Sequence, residues 1–210
     1  MLKVLIADDH AVVRQGLRQI LSEIPELGVV GEAQDGQAVL NLMRAEPWDV
    51  LVLDLSMPGR GGLDILKDVR RERPETRVLV LSMHPEDQFA VRTLKAGAAG
   101  YLTKESAPSE LVAAVRKVLT GGRYISPALA EKLAFDLGRD DDRPRHEKLS
   151  DREFQVMRRL AAGMTVQQIA DELMLSPKTI STYRARVLEK LELKTNAELI
   201  HYSIHNELVD

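Results

Sequence analysis

Three aspartates, a serine and a lysine stand at the ends of short apolar runs in the first half of this chain. Asp8 and Asp9 follow "KVLIA" (Lys3–Ala7), and Asp54 sits near the end of "DVLVLDL" (Asp49–Leu55). Ser82 ends "RVLVLS" (Arg77–Ser82) and Lys104 ends "GYLTK" (Gly100–Lys104). Three carboxylates gathered in one crevice repel each other unless a hard cation joins them. A cation that takes one or two carboxylates, waters and a phosphoryl oxygen is typical of magnesium. A lysine at the same place adds a point charge for a second phosphoryl oxygen, and the Ser82 hydroxyl can reach a third. The set suits in-line attack by the Asp54 carboxylate on phosphorus, with metal and lysine neutralising the equatorial oxygens. The product is an acyl phosphate on Asp54.

Such chemistry needs a scaffold that brings distant residues to one edge. The four runs above, with "GVVGEA" (Gly28–Ala33), read as five strands, and the stretches between them place apolar residues at helical spacing. The alternation predicts a doubly wound α/β fold, (βα)5, with a parallel sheet covered by helices on both faces. In such sheets the functional crevice lies beyond the carboxyl ends of the strands. Strand three carries Asp54 out of the core, and Pro58 and Gly59 shape the turn that leaves it accessible. The last helix of the unit reads as Ser109–Gly122, closed by two glycines. Each residue also has a plainer reading. Asp8 and Asp9 could cap a helix starting near Ala11, Ser82 could begin a turn, Lys104 could be a solvated side chain, and Tyr101 could be half-buried packing.

The chain then changes character. Residues 1–122 form the α/β unit, and 123–148 read as a linker, with a short helix possible in "SPALAEKLAFDL" before the highly charged "LGRDDDRPRHEK". Residues 149–210 hold four helical segments and no convincing strand. Ser150 with Glu153 forms a capping box, Gly163 ends the first helix, and Thr165 caps the second. Ser176 followed by Pro177 opens the third, "KTISTYRARVLEKL". On that helix Ile180, Val187, Leu188 and Leu191 share one side. Lys178, Thr182, Ala185 and Arg186 fall on the other, with Ser181 at its margin. Two short helices and a tight turn before a helix with a small, basic outer face make a helix-turn-helix arrangement. Four basic residues against one acidic residue between Lys178 and Lys190 give a confined positive surface. A docking or dimerisation module with a solvated basic helix would show the same pattern.

Composition narrows the classes. With 44% hydrophobic and 29% charged residues over 210 positions, the chain has an ordinary globular balance. A net charge of -3 gives no bulk affinity for nucleic acid, so DNA binding must come from local clustering. The absence of cysteine excludes disulfides, zinc–thiolate sites and thiol catalysis. Two aspartates follow too soon on the N-terminal apolar run for a signal peptide. No apolar run approaches the roughly 18 residues of a membrane span, so no membrane association and a cytoplasmic location are expected.

Taken together, "LIADDH", "VLDLSMPGRGGLDIL", "VLVLSMH" and "AAGYLTKES" resemble the receiver domain of bacterial two-component response regulators, in order and over the whole first unit. The resemblance implies a flavodoxin-like fold and a sensor histidine kinase as phosphodonor to Asp54. It implies Mg2+ held by Asp9, Asp54 and the backbone carbonyl of Ser56, supported by Asp8. Ser82 and Tyr101 would be a coupled switch pair beside Lys104, the ring moving inward as the hydroxyl turns to the phosphoryl group. Gly61 and Gly62 follow the family pattern after the active-site turn, whereas Glu105 stands where many relatives have proline. The segment from Leu149 to about Val209 resembles the LuxR/FixJ (NarL-type) helix-turn-helix domain. That implies a third helix in the major groove of double-stranded DNA and a homodimer when phosphorylated. By position Ser181, Thr182 and Ala185 would face base edges, with Lys178, Thr179 and Arg186 on phosphates. The expected function is then phosphorylation-controlled transcription regulation, not enzymatic turnover. A magnesium-dependent phosphatase with Asp54 as nucleophile is the competing reading. It would want a second acid just after the nucleophile, where Ser56 and Gly59 stand. A structural adaptor would leave the acids unexplained.

Overall fold

A computed structural model describes residues 1–57, 61–83, 86–127, 129–131, 144–206 and 208–209. Pro58 and Gly59 lie outside them, as does half of the 123–148 linker. Two compact units are present, Met1–Ala134 and Phe135–Asp210.

The first unit alternates β1 (Leu2–Ala7), α1 (Ala11–Leu21), β2 (Leu27–Ala33), α2 (Gly36–Ala45), β3 (Val50–Asp54), α3 (Gly62–Glu72), β4 (Arg77–Ser82), α4 (Glu86–Lys95), β5 (Gly100–Thr103) and α5 (Ala107–Leu119). All five strands pair in parallel in the order β2-β1-β3-β4-β5. Because β1 leads outward to β2 and the chain then returns past it to β3, the crossovers run in opposite directions on either side of β1. This is the doubly wound topology, and its switch point opens a crevice at the carboxyl ends of β1 and β3. On one face of the sheet Val4, Ile6, Val50, Val52, Leu79 and Leu81 pack with Leu17 and Leu21 of α1 and Leu111, Ala114, Val115 and Val118 of α5. Every residue of β3 is buried, Asp54 included, as the unbroken apolar run requires.

Local differences from the expected boundaries are small. β3 ends at Asp54 and β5 at Thr103, one residue earlier than read. α5 starts at Ala107, two residues before Ser109, because Pro108 in the first turn needs no hydrogen-bonded N–H there. The two glycines close it as expected, with the Gly122 N–H donating to the Lys117 carbonyl at 3.0 Å. Tyr124 then returns to the outer edge of β5. It donates from its N–H to the Ala99 carbonyl (2.9 Å) and accepts the Tyr101 N–H (3.1 Å). Its hydroxyl donates to Glu110 Oε2 at 3.0 Å.

Among its described residues the second unit holds a 3-10 turn (Arg145–Lys148) and four helices, α6 (Asp151–Ala161), α7 (Val166–Leu173), α8 (Pro177–Leu191) and α9 (Asn196–His205). Capping boxes are formed at Ser150 with Glu153 and at Thr165 with Gln168, and Ser176 caps α8 ahead of Pro177. The α7–α8 turn passes through Met174 in a left-handed conformation, φ 53°. Phe154, Met157, Leu160, Ile169, Ile180, Val187, Leu191 and Leu199 form its buried centre. Among the described residues no helix is long and apolar enough to cross a membrane.

Glu153 links two of these helices: it accepts the Ser150 N–H (2.7 Å) and the Lys190 ammonium of α8 (2.6 Å). Burial pushes its carboxyl up, but Lys190 and Ser150 outweigh this, so it lies below its ordinary value of 4.5. A carboxyl depressed in the folded state contributes stability that is present above 4.5 and lost as pH falls through the lower folded value. Glu153→Ala is therefore expected to destabilise the second unit by about 1–2 kcal/mol at neutral pH. That deficit should shrink below pH 4.5. Amide exchange in α6 of the full chain reads both effects.

Candidate functional site

The crevice at the switch point is built from three strand ends. Asp8 and Asp9 leave β1, Asp54 ends β3, and Lys104 follows β5. Asp8 and Asp54 are buried, whereas Asp9 is partly exposed. Lys104 Nζ stands 2.6 Å from Asp8 Oδ2 and 2.8 Å from Asp54 Oδ2, with its side chain only 10% exposed. The plain alternative of a solvated lysine does not hold. Asp54 Oδ1 accepts the Ser56 N–H at 3.0 Å. The capping alternative for Asp8 fails too, since His10 is the N-cap of α1 and caps through no side chain. Instead Asp8 Oδ1 accepts the His10 N–H at 2.8 Å, and Arg14 donates to the Asp8 carbonyl at 2.8 Å.

Sequence reasoning passed over His10. Its Nδ1 lies 2.8 Å from Asp9 Oδ1 and 3.3 Å from Asp8 Oδ1. The only signal was its position directly after the acidic pair. One ligand atom each from Asp8, Asp9, His10 and Asp54 gather within 4.8 Å of one another. Asp8 Oδ2 is met by the Lys104 ammonium at 2.6 Å, and Asp9 Oδ1 by His10 Nδ1 at 2.8 Å.

Electrostatics show what the crevice wants. Burial pushes the Asp54 carboxyl above its ordinary range, and the repulsion of Asp8 adds to this; Lys104 and the Ser56 amide offset only part. Burial would lower Lys104, but its hydrogen bonds with Asp54 and Asp8 prevail, and the ammonium is held above its ordinary value. The ammonium is thus firmly charged, yet one cation faces three carboxylates. The site is short of positive charge, and hard oxygen donors are the right type for a small divalent ion.

Ser82, at the end of β4, is fully buried and lies one residue beyond Leu81, the ladder partner of Asp54. Tyr101 on β5 is also fully buried, more deeply than the half-buried packing residue that was the plain alternative.

In the second unit α8 presents Lys178, Ser181, Thr182, Ala185 and Arg186 to solvent, as expected. Thr179 is half-buried, with its hydroxyl 2.8 Å from Ser176 Oγ at the cap. The Thr182 hydroxyl donates to the Lys178 carbonyl at 3.0 Å. Arg184 donates to Asn196 Oδ1 at 2.7 Å and Lys190 pairs with Glu153, so both are engaged inside the domain. The cations of α8 with neither an ion pair nor a side-chain hydrogen bond among the described residues are Lys178 and Arg186.

Residues 4–116 match the response regulator receiver domain family, and residues 147–203 match the bacterial regulatory proteins of the luxR family. The chain belongs to the LuxR-family response regulators. It is 42% identical to the response regulator GacA of Pseudomonas aeruginosa, across 100% of this chain and 99% of that protein. Among solved structures, this regulator resembles RcsB from Salmonella enterica serovar Typhimurium, bound to promoter rprA with the phosphomimetic BeF3-. The TM-score is 0.68 and the identity 32%, over 96% of this chain and 98% of that one. A structure of two RcsB dimers bound to two parallel DNAs matches with a TM-score of 0.61 and 30% identity, over 96% and 97%. The regulator thus joins a receiver domain to a luxR-type DNA-binding domain, in a family of transcription regulators and not of enzymes. Its parallel-sheet receiver and helical C-terminal domain are the fold read from the sequence.

Proposed function

We propose that Asp54 is the phosphoacceptor of this response regulator, and that its phosphorylation controls dimerisation and DNA binding through α8. The observation that carries the reading is the crevice itself, where Asp54 reaches the carboxyl end of β3 with Lys104 2.8 Å away and Asp8 alongside. A carboxylate oxygen of Asp54 forms the new bond to phosphorus as the bond to the histidine of a sensor kinase breaks, and the imidazole leaves with the electron pair. Lys104 holds a phosphoryl oxygen, and the Ser56 N–H keeps the carboxylate oriented. Asp8, Asp9, Asp54 and the Ser56 carbonyl would hold Mg2+, which would supply positive charge against the phosphoryl oxygens. The gathering of ligand atoms from Asp8, Asp9, His10 and Asp54 within 4.8 Å of one another supports that assignment. Ser82 and Tyr101 respond as a pair next to the new phosphoryl group. The receiver spans 1–122, the linker 123–148 and the DNA-binding domain 149–210, working in the cytoplasm where chromosomal DNA is reached.

On α8, Ser181, Thr182 and Ala185 face base edges, while Lys178, Thr179 and Arg186 contact phosphates. The free cations make this measurable. Lys178→Ala and Arg186→Ala should each lower the salt slope of DNA binding by about one unit, nearly uniformly across sequences. An unchanged slope sinks that placement. Two half-sites held by a dimer raise the local concentration of the second domain, so dimerisation alone tightens binding. The deciding experiment is a DNA-binding titration, with and without a small-molecule phosphodonor and Mg2+. It uses a duplex selected from a random pool and is read beside the solution mass. Phosphorylation should tighten binding tenfold or more as the mass doubles. Equal binding at unchanged mass would overturn the reading.

A further inference from the structure

His10 stands in the crevice, and the phosphorylation reading gives it no role. As the N-cap of α1 it has extended backbone, φ -89° and ψ 111°, and its side chain makes no capping hydrogen bond. Its N–H donates to Asp8 Oδ1 at 2.8 Å, the short-range turn by which an aspartate holds the residue two places on. The ring rests against the acidic pair, with Nδ1 2.8 Å from Asp9 Oδ1 and 3.3 Å from Asp8 Oδ1. Lys104 meets Asp8 at the other oxygen, Oδ2, at 2.6 Å. Ammonium and imidazole therefore approach that carboxylate at different atoms. The Oδ1 side of Asp8 is shared with Asp9 and His10, away from the lysine.

We propose that His10 Nδ1 is a direct ligand of the cation in the crevice, and that it moves the site's preference from Mg2+ toward a first-row transition ion such as Mn2+. The inference rests on the metal reading given above and adds one nitrogen to its oxygen donors. Octahedral bonds of about 2.1 Å put neighbouring ligands about 3.0 Å apart and opposite ligands about 4.2 Å apart. Nδ1 stands at the neighbouring distance, to within about 0.3 Å, from both Asp8 Oδ1 and Asp9 Oδ1. With Asp54 included, the four ligand atoms lie within 4.8 Å of one another, so one ion can reach them all after small side-chain movements. A neutral imidazole protonated at Nε2 presents Nδ1 as a lone-pair donor. Carboxylate and carbonyl oxygens suit magnesium, whereas imidazole suits transition ions, so a mixed set binds both and favours the latter. The competing account is an ordinary ion pair, in which His10 leaves the acids when the ion enters.

The test uses the full chain without an affinity tag, stripped by a chelator and titrated separately with MgCl2 and MnCl2 by calorimetry. Excess Mg2+ should displace the bound Mn2+, which places both ions in one site. Pulsed electron paramagnetic resonance of that Mn2+ should show coupling to a 14N nucleus. His10→Ala should remove the coupling and lower the preference for Mn2+ over Mg2+ about tenfold, while Mg2+ affinity stays nearly constant. His10 is 66% exposed, so the variant should fold, and circular dichroism checks it. Wild-type Mn2+ without 14N coupling, or a Mn2+ to Mg2+ ratio unchanged in His10→Ala, would overturn the proposal and leave the magnesium reading standing. Wild-type protein that binds neither ion would overturn both.

Discussion

Asp54→Asn is expected to abolish labelling by a small-molecule phosphodonor while the receiver stays folded. Asparagine has the same shape, and its oxygen still accepts the Ser56 N–H that Asp54 Oδ1 takes at 3.0 Å. Lys104 keeps Asp8 as its partner at 2.6 Å. What disappears is the nucleophile, so intact-mass labelling should drop to background. Stoichiometric labelling that persists would refute the assignment. A second result is expected from the charge count. The buried carboxylate of Asp54 faces Asp8 and Asp9 with one ammonium among them, and burial raises its pKa. A carboxyl raised in the folded state contributes less stability as pH rises through the folded value. In a chelator, Asp54→Asn should therefore match the wild type near pH 3.8 and become the more stable protein toward neutrality.

Gly62→Ala should damage the receiver more than its size suggests. A Cβ at Gly62 would come within 2.5 Å of Leu55 Cα and 2.8 Å of the Asp54 carbonyl oxygen. Both are backbone atoms of the chain leaving β3, so no side-chain rotation relieves the clash. α3 begins at Gly62 and buries Leu63, Ile65, Leu66 and Val69, and it would have to shift as a unit. We expect a loss of roughly 2–4 kcal/mol and impaired labelling of Asp54, because the same turn orients Ser56. Gly16 is the control. It lies in the exposed interior of α1, where an added Cβ would meet nothing within 4 Å, so Gly16→Ala should stabilise by about 0.5–1 kcal/mol. Thermal melting of the two variants should therefore move in opposite directions.

Much of this was legible in residue order. Apolar runs interrupted by acids located Asp8, Asp9, Asp54 and Lys104, since a parallel strand shows both its burial and its end in sequence. The caps at Ser150, Thr165 and Ser176 were legible because a capping hydrogen bond spans three residues and needs no distant partner. The engagement of Lys190 was not. It counts toward the basic excess of α8, yet it is bound to Glu153, 37 residues away. Arg184 is likewise turned to Asn196. Only the packing of one helix on another decides which cations remain for DNA.

Sequence alone determined the alternation of elements, the acids at the strand ends and the helix with the small, basic outer face, because each follows from periodicity and local hydrogen bonding. Tertiary structure alone decided three further matters: that Lys104 sits between two carboxylates, that His10 leans on the acidic pair, and that Gly62 has no room for a methyl. Those depend on distances between segments that are far apart along the chain. Such distances are set by how side chains fill the space between sheet and helices, which no single stretch encodes.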